Sequence, residues 1–352
     1  MIRIRRGVAI EVERTRPGVF SVLVEVEGSK ERAIAYEDLC GPVGPGDRLI
    51  LNTGAVTLGL GTGGVHFVIA VEGGADLDGS EHGGHAMKLR YTPLQHAVLP
   101  VEESHREAMD SFGGLEGAPV VVAGLHSALA AAAVAGKAVR PDARVAFVMT
   151  EGGALPIAFS ETVAGLKDLG LVDVTITCGQ AFGGDLEAVN KFSGVIAARV
   201  VANADLVIVA PGPGHLGTAS RFGFASIEAG EVVNAVARLM GRPIVAPRIS
   251  FADPRERHRG VSHHTLAALR FAALVPSIIA VPILAPDRAE LVQRQLAEAG
   301  LHEFAEFDVD LGPAEEALRS SPVPLRTMGR SFDDDPDAFR ASAAAAVLAL
   351  RG

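Results

Sequence analysis

The sequence predicts an α/β protein: a mostly parallel, doubly wound (Rossmann-like) sheet, preceded by a small N-terminal all-β domain of barrel or sandwich type. Three observations lead there. Before residue 110 apolar residues come in short, often alternating runs. After residue 117 they come in near-continuous runs of 5–7 residues. Those later runs alternate with stretches of helical character. Alternation marks strands with one wet face, and near-continuous runs mark strands covered on both faces of a parallel sheet. The change divides the chain into two domains, 1–110 and 111–352, in keeping with a usual size of roughly 100–200 residues per domain.

In the first domain the alternating runs are Val8-Ile10-Val12, Val22-Val24-Val26, Leu49-Leu51 and Phe67-Ile69-Val71. Pro17-Gly18, Gly28-Ser29, Gly41-Pro42 and Gly44-Pro45-Gly46-Asp47 separate them. Short runs punctuated by Gly and Pro read as antiparallel strands. Residues 72–86 read as a long loop, with His82 and His85 on its surface, and a further strand is expected at 88–91.

In the second domain the expected strands are 119–124, 144–150, 172–178, 205–210, 243–249, 278–284 and 303–309. Helices are expected at 188–202, 231–240, 262–274, 286–299 and 336–350, with 310–336 as an irregular surface connection. Such alternation packs helices on both faces of the sheet through right-handed crossovers. An incomplete (β/α) barrel is the competing architecture, since seven units approach eight.

Composition narrows the function classes. Lys and Arg number 32 against 42 Asp and Glu, a net charge of −10. That argues against a general nucleic-acid or anionic-membrane surface, which needs a cationic face. Two cysteines, Cys40 and Cys178, make no disulfide framework. The start lacks the apolar core of a signal peptide, and no apolar stretch nears the ~20 residues of a membrane span. The expectation is a cytoplasmic protein whose partner is a small anionic molecule, not nucleic acid or membrane. A homodimer is expected on base rates alone.

Ligands of such folds bind where strands end and helices begin. Five consecutive junctions carry Gly-rich or ionisable loops: His126-Ser127, Glu151-Gly152-Gly153, 179–185, 211–218 and 248–264. The opposite strand ends carry plain turns such as Arg140-Pro141-Asp142. Gly212, Gly214 and Gly217 match G-x-G-x-x-G after a strand, with His215 between them, and read as an anion cradle, a dinucleotide fingerprint or a structural turn. No acid stands at the next strand end, which weakens the dinucleotide reading. Gly59, Gly61 and Gly64 match the same pattern before a strand, so the pattern alone is cheap.

The fifth loop is the densest. Arg248 precedes Arg255, Arg257 and Arg259, whose forks suit phosphate or carboxylate and otherwise form a solvated charge run. Ser262 is the expected N-cap of a helix bearing His263 and His264 in its first turn. Imidazoles there stay neutral and can accept a proton or bind metal. Asp253, His258 and His263 or His264 make a candidate divalent-metal set, with Asp253, His258 and His264 the leading combination. The candidate catalytic groups are His258, His263, Asp253 and Glu151. His126 joins Asp185 as a ligand candidate, although Asp185 also reads as a helix N-cap and Ser127 as another. Cys178 ends an apolar strand and reads as buried and inert.

Several stretches together resemble an uncharacterised bacterial family, domain of unknown function 3866. They are NTGAVTLGLGTGGVHFV (52–68), GHAMKLRYTPLQ (84–95), MTEGGALPIAFS (149–160), CGQAFGGDLEAVN (178–190), GPGHLGTASRFGF (212–224) and SFADPRERHRGVSHHT (250–265). Gly54 stands where that pattern more often has Thr, and Glu151 where it has Asp. The resemblance implies no particular activity, cofactor or catalytic residue.

Three functions follow as expectations. The first is an enzyme acting on a phosphorylated or otherwise anionic small molecule. There Gly212, Gly214 and Gly217 supply backbone donors, Arg255 with Arg257 or Arg259 clamps the anion, and His258 or His263 moves the proton. The second is a non-catalytic nucleotide- or metabolite-binding regulatory module. The third is a metal-dependent hydrolase.

Overall fold

The computed structural model describes residues 2–60, 63–77, 84–218 and 220–351. His82, and Gly61 of the glycine match at 59–64, lie outside the described residues. The chain clusters into two compact units, Met1–Gly83 with Leu89–Ala97, and Gly84–Lys88 with Val98–Gly352. Residues 98–110 group with the second unit.

Among the described residues of the first unit, five strands close a barrel: β1 (Ile4–Arg16), β2 (Val19–Val26), β3 (Ser29–Tyr36), β4 (Arg48–Asn52) and β5 (His66–Val71). Their order is β1-β2-β3-β5-β4, and β4 pairs back onto β1. Alternation sends Val22, Val24, Val26, Leu49 and Leu51 inward. The long β1 bends at register breaks after Ala9 and Arg14. Gly7 lets the strands close, because a Cβ there would lie 2.6 Å from Val24 Cγ2. Bulges and a bare backbone supply the curvature that closure needs.

The second unit is a three-layer α/β/α sandwich. Its elements in order are β6 (Pro119–Ala123), α1 (Ala128–Val139), β7 (Val145–Thr150), α2 (Glu161–Asp168), β8 (Val174–Cys178), β9 (Leu186–Ala188), α3 (Lys191–Val200), β10 (Leu206–Pro211), α4 (Glu228–Arg238), β11 (Arg242–Ala246), α5 (His263–Ala267), β12 (Ile278–Pro282), α6 (Pro286–Glu298), β13 (Ala305–Val309), α7 (Pro313–Arg319) and α8 (Pro336–Arg351). The sheet runs β9-β8-β7-β10-β6-β11-β12-β13, and every pairing is parallel. It is open, so the incomplete barrel does not form.

Successive strand residues face opposite layers. Val121, Phe147, Ile208 and Ile244 pack under α1, α2, α7 and α8, whereas Val120, Val148, Val207 and Val245 pack under α3, α4 and α6. The chain moves one way along the sheet through the first layer, from β6 to β7 to β8. It moves the other way through the second layer, from β9 to β10 and then to β11, β12 and β13. Reversing both direction and layer keeps one hand throughout, as right-handed crossovers require. The strand order therefore reverses around β10, β6 and β11, and such a reversal leaves a crevice at the carboxyl ends.

Four sequence expectations are corrected. The helix expected from 188 begins at Lys191, and Leu186–Ala188 is strand β9, paired with β8. Asn190 caps α3 through Phe192 N and Ser193 N. Asp185 is no cap, because its carboxylate accepts from Thr175 N and Oγ1 and pairs with Lys167. The helix expected over 262–274 is α-helical only through Ala267 and continues as a π turn, Ala268–Ala272. The connection 310–336 contains α7, whose Ala314 and Leu318 are buried in the core.

Candidate functional site

The crevice is built from two loops far apart in sequence. After β11 the chain leaves the sheet at Pro247. Ile249–Ser250 pairs with Gly260–Val261, so the loop 251–259 is thrown out and brought straight back to Ser262. Ser262 Oγ accepts the His264 backbone N–H at 3.3 Å and caps α5. After β10 the segment from Gly212 folds back through a bridge between Gly217 and Phe224.

These two loops bring His215, His258, His263 and His264 together. The His263 and His264 rings are 4.2 Å apart, His258 lies 4.8 Å from His263 and 5.0 Å from His264, and His215 lies 4.9 Å from His264. Phe224 stacks on His264 at 4.3 Å with planes 9° apart. Burial is the main force lowering all four pKa values, taking His258 and His264 down to about 3. Arg248 adds repulsion at His258, and the neighbouring His263 adds it at His264. The cluster is neutral at pH 7.

Beside it lies a buried ionic network. Asp253 accepts from Arg248 at 2.8 Å and from Arg255 at 2.9 Å, with Arg330 at 3.4 Å. Arg330 also pairs with Asp335, which accepts from Ser250 Oγ at 2.6 Å. Hydrogen bonds from Arg255 hold the Asp253 carboxyl far below its ordinary range. Three guanidinium groups face two carboxylates, so the network carries one surplus positive charge in an acidic chain.

The other sequence candidates fall out as follows. Asp253 serves the arginines, so its place in a metal set is taken by His263: one ring nitrogen from each of His258, His263 and His264 lies within 4.8 Å of the others. Arg255 is committed to Asp253, whereas Arg257 and Arg259 are exposed. Gly212 packs loop on loop, since a Cβ there would lie 2.3 Å from Ala154 O. Gly214 takes a left-handed φ of 93° in open space, and Gly217 faces His215 and His264. The glycine match opens onto no helix N-terminus, because the chain first reaches the turn Ala225–Ile227 and then α4. It lacks the helix that a dinucleotide fingerprint requires.

His126 is a half-buried histidine held on both ring nitrogens. Its Nδ1 lies 3.0 Å from Pro211 O and its Nε2 2.7 Å from Ser160 Oγ, and burial lowers its pKa to about 4. Glu151 is exposed and accepts from Gln180 N at 2.7 Å. Asp185 stays with Thr175 and Lys167.

Sequence reading missed Phe224, Arg330 and Asp335. The run Asp333-Asp334-Asp335 gave no reason to single out its last member, which is 2% exposed. Beside the cluster a pocket of about 40 Å³ is lined by Gly124, Ser226, Arg248, His264 and Thr265, with apolar residues such as Leu269 and Phe339, and by no residue of the 212–224 loop. That encloses a head group of a few water volumes and not a nucleotide.

A family model described as protein of unknown function (DUF3866) matches residues 32–346. The chain belongs to this family. The DUF3866 span contains both loops of the crevice and all four clustered histidines. No curated protein matches the chain. Among the described residues, no helix is long and apolar enough to cross a membrane.

Proposed function

We propose that the protein is an enzyme acting on a small anionic molecule, phosphorylated or carboxylated, whose charged head enters the crevice at the carboxyl ends of β6, β10 and β11. One observation carries the reading: neutral imidazoles stand beside a guanidinium network with a surplus positive charge. A neutral imidazole accepts a proton at pH 7. A positive charge in partly dry surroundings favours an anion over water. His263, only partly buried, is the leading proton acceptor, and its Nδ1 lies 3.2 Å from the Arg257 carbonyl. The exposed Arg257 and Arg259 supply the outer part of the anion site. The small enclosed volume favours a head group over a whole cofactor.

The test is a thermal-shift and turnover screen with inorganic phosphate, pyrophosphate, sugar phosphates, nucleoside monophosphates and dicarboxylates. At least one anion is expected to raise the melting temperature, since binding only the native state stabilises it by about 2.7 kcal/mol at 100 times the Kd. Arg257→Ala with Arg259→Ala should weaken that shift without unfolding the protein, and His263→Asn should abolish turnover while binding persists. An anion that binds with no turnover, unchanged in His263→Asn, favours the non-catalytic binding module. No stabilising anion at all overturns the proposal.

A further inference from the structure

We propose that His258, His263 and His264 hold one divalent transition-metal ion, with a fourth position open. This goes beyond the anion reading and does not rest on it; with a metal bound, His263 serves as a ligand and no longer as the proton acceptor.

Three observations support the site. The first is convergence, since one ring nitrogen from each histidine lies within 4.8 Å of the others. Tetrahedral binding at a metal–nitrogen distance near 2.1 Å needs nitrogens about 3.4 Å apart, so the rings must draw in by about an ångström. The second is ring anchoring. His258 Nδ1 lies 2.8 Å from Ser262 Oγ, and His263 Nδ1 lies 3.2 Å from Arg257 O. Nδ1–H donating to these oxygens leaves both Nε2 lone pairs free, the arrangement that fixes imidazole ligands in metal sites. Arg248 Nη1 stands 3.4 Å from the same His258 Nδ1, too long to compete with the 2.8 Å contact to Ser262 Oγ.

The third is a set of buried nitrogens that need a partner. Among the described residues, His264 Nδ1 and both ring nitrogens of His215 are buried with no hydrogen-bond partner. Buried polar atoms are rarely left so without an ion, a water or a catalytic task. His215 lies outside the set of three, which leaves the fourth position for water or substrate, as catalytic sites do.

The donor set selects the metal. Asp253 is taken up by arginines, so the site offers imidazole alone. Imidazole suits Zn²⁺, Fe²⁺, Ni²⁺ and Cu²⁺, whereas Mg²⁺ and Ca²⁺ want carboxylate oxygen. The neighbouring surplus positive charge opposes a bare cation and favours an anion as the fourth ligand. Three neutral donors at contact distance outweigh a charge network that is nearly balanced by its own carboxylates.

The full chain is stripped with chelator, then titrated with Zn²⁺ alone and with Co²⁺ alone, with no anionic ligand present. One equivalent per chain is expected, with intense visible Co²⁺ bands of tetrahedral nitrogen coordination. His263→Ala, at a partly exposed position, should keep its circular dichroism and weaken binding at least about tenfold. His215→Ala should keep one equivalent. No stoichiometric binding by the wild type, or undiminished binding in folded His263→Ala, overturns the site. Repeating the anion screen in chelator separates the two readings: anion binding that survives there leaves the proposed function standing whatever the metal result.

Discussion

Asp253 offers a carboxylate engaged entirely by arginines of its own chain. Its side chain is fully buried and answers three arginines from sequence positions 248, 255 and 330. Breaking a buried ion pair from one side leaves uncompensated charge and costs about 3–5 kcal/mol. Asp253→Asn keeps the shape and removes the charge, so a loss near the lower end, about 3 kcal/mol, is expected. The check is a lower denaturant midpoint at unchanged slope. Had Asp253 been a metal ligand, the same variant would instead lose metal at nearly unchanged stability. The sequence placed Asp253, the arginines and the histidines in one loop, and they are in one loop. It could not show which acid serves which base, because the deciding partners, Arg330 and Asp335, lie about 80 positions away by chain and were hidden in an acidic run.

At the scale of elements, six of the seven long strands were legible because each is an apolar run buried on both sides, whereas β13 is an edge strand with exposed Glu306 and Asp308. The misses share a cause: their signals are tertiary. Strand β9 is three residues with Glu187 at its centre, and that carboxylate is explained by Thr177 Oγ1 at 2.8 Å and by Lys88 at 3.0 Å. The π turn after α5 is set by close packing on α4. A Cβ at Gly230 would lie 2.6 Å from Ala268 O and 2.7 Å from Ala273 N. Gly230→Ala is therefore expected to destabilise the protein by about 1–3 kcal/mol, as overpacking against backbone does. Gly165, inside α2, has only Val323 Cγ1 nearby, at 3.5 Å. There Gly165→Ala is expected to stabilise by up to about 1 kcal/mol through helix propensity. Opposite signs in thermal denaturation check the pair.

For the whole molecule, acid sensitivity follows from its neutral histidines, of which His126 stands apart from the loop cluster. Burial holds His126 down at about 4 from an ordinary 6.5. Between those values the unfolded chain binds a proton that the native chain refuses, so stability rises with pH across the window. The contribution is fully present above 6.5 and is lost as pH falls toward 4, amounting to about 3 kcal/mol. Chemical denaturation at a series of pH values is expected to show this slope. In His126→Gln the slope should flatten by about one proton. The two-unit architecture and the net charge of −10 were readable from composition and pattern alone. The gathering of His215 with the 258–264 segment was readable only as a shared strand-end level, since spacing along a chain says nothing about which loops lean together.

The winding of the sheet has a mechanical corollary. Because α1 departs from β6 into one layer and α4 follows β10 into the other, the crevice falls between layers whose helices diverge from it. Side chains and closely packed loops stitch its walls across the gap. Whatever fills the space fastens together stretches nearly a hundred and forty positions apart, from Gly124 to His264. An occupant is thus also a rivet, and its binding would toughen the molecule against heat and proteolysis.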